Sequence, residues 1–154
     1  MPGPLVKALI AHENSVFEGP NGDYPSILES ISELTAGQAA WQPSPDSNSI
    51  WQIVNHLAEG KEWQIEMLEK GEAEPCHWIK PPGDEASWQA LLAHLKDAHE
   101  RLISALRELD DHDLLERPVP DLNRTLLELI LSAGSAHEAH HGGQINYLRG
   151  LQEV

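Results

Sequence analysis

The sequence predicts an all-α protein, a four-helix bundle with an extra short helix near the N-terminus and long inter-helix loops. Three observations lead there. Four long segments repeat apolar residues at helical spacing. Apart from Pro2 and Pro4, the prolines collect in the breaks "EGPNGDYP" (18–25), "QPSPDSNS" (42–49), "GEAEPCHWIKPPGDEAS" (71–87) and "DDHDLLERPVPDLN" (110–123). No segment alternates like a strand over a useful length. Long amphipathic helices without strands bury their stripes against one another. At 154 residues and 40% apolar content, residues 1–154 suit one domain with its own core.

The elements follow in order. Leu5 to Phe17 reads as a helix, and a short one runs from about Pro25 to Leu34, with Pro25 suited to a first turn. The second long helix begins at Ser49, where Ser49-x-x-Gln52 forms a capping box, and stops after Lys70 at Gly71. The third spans Ser87 to about Leu109, with Leu91, Leu95, Leu102 and Leu106 on one face. The fourth starts near Thr125, where Thr125-x-x-Glu128 repeats the capping pattern, and continues to about Leu151.

Composition narrows the function. The formal charge is −15, from 25 acids against 10 bases, and no basic cluster occurs. Such a surface repels phosphate backbones and anionic membranes, so neither nucleic acid nor membrane is an expected partner. A single cysteine, Cys76, excludes an intrachain disulfide and a multi-cysteine zinc site. The opening "MPGPLVKALIAHENS" lacks the apolar core of a signal peptide, and no run is long enough to span a bilayer. A cytoplasmic setting is expected.

Chemistry concentrates in "HEAHHGGQI" (137–145). At about 100° per residue, His137 and His141 fall in the middle of the apolar stripe of the last helix, with Gln144 beside them. Polar groups at core positions cost roughly 1–3 kcal/mol each if left unpaired. Two inward imidazoles one turn apart are most simply satisfied by a shared metal ion. His140 falls on one flank of the stripe. Glu138 falls on the other, either within reach of a metal-bound water or solvated. On periodicity, the third ligand is open among His56, His99 and His12. His137-Glu138-x-x-His141 also fits the H-E-x-x-H spacing of zinc peptidases. The longer form needs Gly at 144 and His at 147, where Gln144 and Tyr147 stand. Only 13 residues follow His141, and Glu153 is their sole acid. A peptidase is therefore the weaker reading.

Two stretches resemble the DinB-like superfamily of four-helix-bundle metalloenzymes. "SIWQIVNHLAEGKEW" (49–63) is similar to its second-helix pattern, and "HEAHHGGQINYLRG" (137–150) to its H-x-x-x-H-x-G-Q-I signature. The resemblance implies a DinB-like bundle with a metal triad of His56, His137 and His141. It gives His140 no ligand role, and it places Glu138 where an acid is common.

Three neutral imidazoles leave a divalent ion, zinc or nickel, with open positions, and zinc lowers the pKa of a bound water to about 7. The resemblance extends to thiol-cofactor-dependent transferases, so a low-molecular-weight thiol is an expected cofactor, a small molecule the expected substrate, and a homodimer the expected assembly. The expected activity is that of a hydrolase or a thiol-dependent S-transferase. Glu138 and Gln144 are the candidate catalytic side chains, with a structural role for Gln144 as the stronger expectation. The competing class is a non-enzymatic metal-binding or stress-response protein, whose structural ion would be closed by a fourth protein ligand. Trp51, Trp63, Trp78 and Trp88 are expected as core or rim packing rather than a substrate platform; if one lines the pocket, Trp63 is favoured by its place on the His56 row.

Overall fold

The protein is described by a computed structural model, over residues 1–120 and 122–154. Over the described residues ten elements follow in order. They are α1 (Pro4–Phe17), α2 (Ile27–Ile31), α3 (Ala36–Ala40), α4 (Ile50–Lys70), α5 (Glu85–Arg107), α6 (Asp111–Glu116), β1 (Pro118–Val119), β2 (Arg124–Thr125), α7 (Leu126–Ala133) and α8 (Ser135–Gln152). The long helices α1, α4 and α5, with α7 and α8 as the fourth member, form an all-α bundle. β1 and β2 pair antiparallel over two residues each. Among the described residues no helix is long and apolar enough to cross a membrane.

Local chemistry explains most boundaries. The Ser49–Gln52 and Thr125–Glu128 capping boxes form at the expected residues, and Gly71 closes α4 at φ 78°, a left-handed position that favours glycine. α5 starts two residues earlier than expected, because Asp84 caps it, its side chain accepting from the Ser87 N–H. The expected short helix from Pro25 to Leu34 is shorter, and α3 follows it. Each is opened by its own capping box, Ser26–Glu29 and Thr35–Gln38. α6 forms inside a segment expected to be a break, capped by Asp110. Its Asp111 carboxylate accepts from the Leu5 and Val6 N–H groups at 3.2 and 2.9 Å, capping the start of α1 from across the chain.

The largest difference lies in the last helix, expected to be continuous. It breaks at Gly134 (φ −94°, ψ −108°). The groups freed there find side chains. Glu13 Oε1 accepts from the Ser135 N–H at 3.2 Å, and Gln64 Nε2 donates to the Ala133 carbonyl at 3.3 Å. A Cβ at 134 would lie 2.5 Å from the Ile130 carbonyl oxygen and 2.7 Å from Glu13 Oε2, so only glycine fits.

The core is two apolar clusters. One joins α2, α3, the first half of α4, the start of α5 and the end of α8 around Trp51 and Trp88. The other joins the start of α1 with the ends of α4 and α5, α6 and α7. Between them runs a polar layer of Glu13 from α1, Lys61 and Gln64 from α4, His99 from α5 and Glu138 from α8, each at most 2% exposed. His12, expected on the buried row of α1, is exposed. The inward stripe is Val6, Leu9, Glu13, Val16 and Phe17.

Candidate metal centre

The centre joins α4 to α8. His56 comes from the first half of α4, and His137 and His141 lie one turn apart at the start of α8. The kink at Gly134 sets the direction of α8. The Nε2 atom of His137 lies 3.0 Å from Nε2 of His56 and 3.0 Å from Nε2 of His141. One ligand atom from each of the three histidines lies within 4.8 Å of the others. Ligand nitrogens of a tetrahedral zinc ion, each about 2.0–2.1 Å from the metal, sit roughly 3.3 Å apart.

Protonation fits a cation. Gln144 Oε1 lies 2.6 Å from His141 Nδ1, so that nitrogen donates and the His141 Nε2 lone pair points into the centre. Neutral His137 has at most one proton on Nε2 and cannot satisfy two nitrogen neighbours at once. A shared cation resolves that conflict. Burial lowers the pKa of all three rings. His137 falls to about 4, with neighbouring His141 and His56 adding to the effect, while Glu59 partly offsets the shift at His56 and the Gln144 bond partly offsets that at His141. Neutral imidazole is the metal-binding form.

A pocket of about 190 Å³ opens beside the triad, lined by His56, Gly60, Trp63, Cys76, Ala133 and His137. Trp63, expected foremost as packing but favoured among the tryptophans if one lined a pocket, is part of this lining. The loop after α4 covers the site. Its His77 N–H donates to Glu59 Oε2 at 2.7 Å, and its Ile79 carbonyl accepts from Gln52 Nε2 at 3.0 Å. Between these two anchors Trp78 stacks on His56, centroids 4.5 Å apart and planes 19° from parallel. Burial, with Glu59 adding to it, raises the pKa of the Cys76 thiol and keeps it protonated at neutral pH.

The remaining candidates lie elsewhere. His140 is exposed, stands edge-on to His141 at 5.1 Å, and lines a second cavity of about 480 Å³ with Gln144 and Tyr147. His99 is buried in the polar layer, with Nε2 2.8 Å from Asn14 Oδ1 and Nδ1 3.0 Å from Lys61 Nζ. Glu138 is also buried there, ion-paired with Lys61, and is not among the residues whose ligand atoms converge. Sequence reasoning missed Lys61 and Glu13. Their signal was a charge standing on an apolar stripe, as Lys61 does between Ala58 and Ile65.

The architecture is therefore a helical bundle carrying a cluster of three histidines able to hold a metal ion. The chain belongs to the DinB superfamily, whose model matches residues 24–145, more than half of the sequence. The match takes in all three histidines and Gln144, and leaves out α1. No curated protein and no solved structure matches the chain.

Proposed function

We propose that this protein is a metal-dependent enzyme in which His56, His137 and His141 hold one divalent ion, zinc or nickel, and act with it on a small molecule. The observation that carries the reading is the pocket bordered by two of the three imidazoles. Among the described residues no fourth His, Cys, Asp or Glu converges on the triad, and the space beside it is lined by Gly60, Ala133, Trp63 and Cys76, whose thiol is not among the converging ligand atoms. A structural zinc site is closed by four protein ligands, and catalytic sites keep a position free. When bound, the ion supplies Lewis acidity and a binding position for an anionic oxygen or sulfur donor.

The chain's own residues do the rest. Gln144 fixes the tautomer of His141. Trp78 covers one face of His56 and shields it from water. Trp63, Gly60 and Ala133 form the walls against which an apolar part of a substrate packs. Cys76 contributes to the same wall. Glu138, the base that a peptidase reading requires, is committed to Lys61, which favours hydrolysis of a non-peptide substrate or S-transfer with a small thiol.

Cobalt-substituted protein tests the open position. Titration with azide and with 2-mercaptoethanol is expected to change the visible spectrum, the thiol adding a sulfur-to-cobalt charge-transfer band. A spectrum indifferent to both ligands would assign the ion a structural role. The spectral response also chooses which assays follow, ester and amide hydrolysis for oxygen donors or thiol transfer for sulfur.

A further inference from the structure

Two neighbouring residues of α4 meet two neighbouring residues of α8. Gly60 lies against His137, whose Cε1 would be 3.8 Å from a Cβ at position 60, an ordinary contact. The next residue, Lys61, is ion-paired with the next residue, Glu138. One turn before Gly60 stands His56, and one turn after His137 stands His141. The Gly60–His137 and Lys61–Glu138 contacts thus sit between the ligands.

Lys61 is held by more than Glu138. Its Nζ lies 3.0 Å from His99 Nδ1 and 4.5 Å from the centroid of the Phe17 ring. His99 in turn is 2.8 Å from Asn14 Oδ1 and stacks on Phe17 at 3.9 Å. Burial and the Lys61 charge lower the His99 pKa to about 3, so His99 is neutral and accepts from the ammonium. Lys61 is therefore fixed by α1 and α5 before it reaches α8. A buried ion pair is seldom more stabilising than a packed apolar pair, and its best-attested use is to specify register.

We propose that Lys61 is a positioning residue of the metal centre: through Glu138 it sets the register of α8 on α4, and so the separation of His56 Nε2 from the two α8 imidazoles. This rests on the reading of the triad as a metal site. Apolar contacts between two helices tolerate sliding, but a single buried ammonium meeting a single buried carboxylate does not. Removing the pair retains all three ligand residues but shifts them relative to one another.

The test compares the wild type with Glu138→Gln and with the double variant Lys61→Met, Glu138→Leu. The double variant removes one charge of each sign, so the net charge near the ion is unchanged and a loss of binding reports geometry. Three quantities are read: the melting temperature without metal, the cobalt dissociation constant by competition with a chelating dye, and the visible spectrum of bound cobalt. The double variant is expected to melt close to the wild type, to bind cobalt about 10–100-fold more weakly, and to show shifted bands. Glu138→Gln, nearly isosteric, is expected to fold and to bind about tenfold more weakly, also with shifted bands. Wild-type affinity and an unchanged spectrum in either folded variant would overturn the proposal, and if the double variant does not fold, Glu138→Gln decides. Failure of the wild type itself to bind cobalt would instead refute the metal reading.

Discussion

Gln144 and His141 are joined through Oε1 and Nδ1 at 2.6 Å, and this one contact determines which nitrogen of His141 faces the other two histidines. Gln144 is otherwise exposed at the edge of the second cavity. Its truncation should therefore affect the centre and not the core. Gln144→Ala is expected to weaken metal binding at least about tenfold while leaving the melting temperature of metal-free protein within error. Competition against a chelating dye, beside a thermal melt, checks both halves.

Trp78 and His56 are stacked, which gives the centre a built-in reporter. A metal ion on His56 withdraws charge from the ring against which the indole packs. Tryptophan emission should change on metal addition in the wild type. In Trp78→Phe most of that change should be lost although the ion still binds, as measured by elemental analysis.

Gly134 stands where α7 gives way to α8, with no room for a side chain. Gly134→Ala pushes a methyl group into the Ile130 carbonyl oxygen and Glu13. A loss of about 2–3 kcal/mol is expected from overpacking, read by urea denaturation. The redirected α8 should weaken metal binding in the same variant.

Glu13 carries the clearest pH dependence of the interior. Burial, with the Glu138 charge adding to it, raises its pKa from 4.5 to about 7, against the opposing effects of Ser135 and Lys61. A raised carboxylate pKa means that the folded state holds the proton more tightly than the unfolded state. Its contribution is complete below 4.5 and is lost as the pH rises through about 7. Glu13→Gln keeps an acceptor for the Ser135 N–H and cannot ionise. The wild type should lose up to about 3 kcal/mol relative to this variant between pH 4 and pH 8. Denaturation of both proteins at the two pH values, with chelator present, measures the difference and cancels the opposite slope of His99. His99, lowered to about 3, favours the unfolded state progressively as the pH falls below 6.5.

Much of the fold was legible because its signals are local. Ser49 with Gln52, Thr125 with Glu128 and Gly71 mark helix ends within a few residues of themselves. His137, His141 and Gln144 share a face by helical spacing alone, whereas the choice of His56 over His99 and His12 needed the family resemblance. The polar layer was not legible, since Glu13 and Ser135, or Lys61 and Glu138, are far apart in sequence. The break at Gly134 hid for a related reason. The apolar stripe runs on across it, and the side chains that satisfy the interrupted backbone come from α1 and α4. α3 and α6 were readable in principle from Thr35-x-x-Gln38 and Asp110-x-x-Asp113, but their short helices lack the periodicity that marks the long ones.

The direct test of the account is elemental analysis of the purified protein beside His56→Ala, His137→Ala and His141→Ala. One zinc or nickel ion per wild-type chain, lost from each of the three variants while all remain helical, is the expected result. A metal-free wild type that fails to take up either ion on dialysis, or a His56→Ala variant that keeps the full complement, would contradict it.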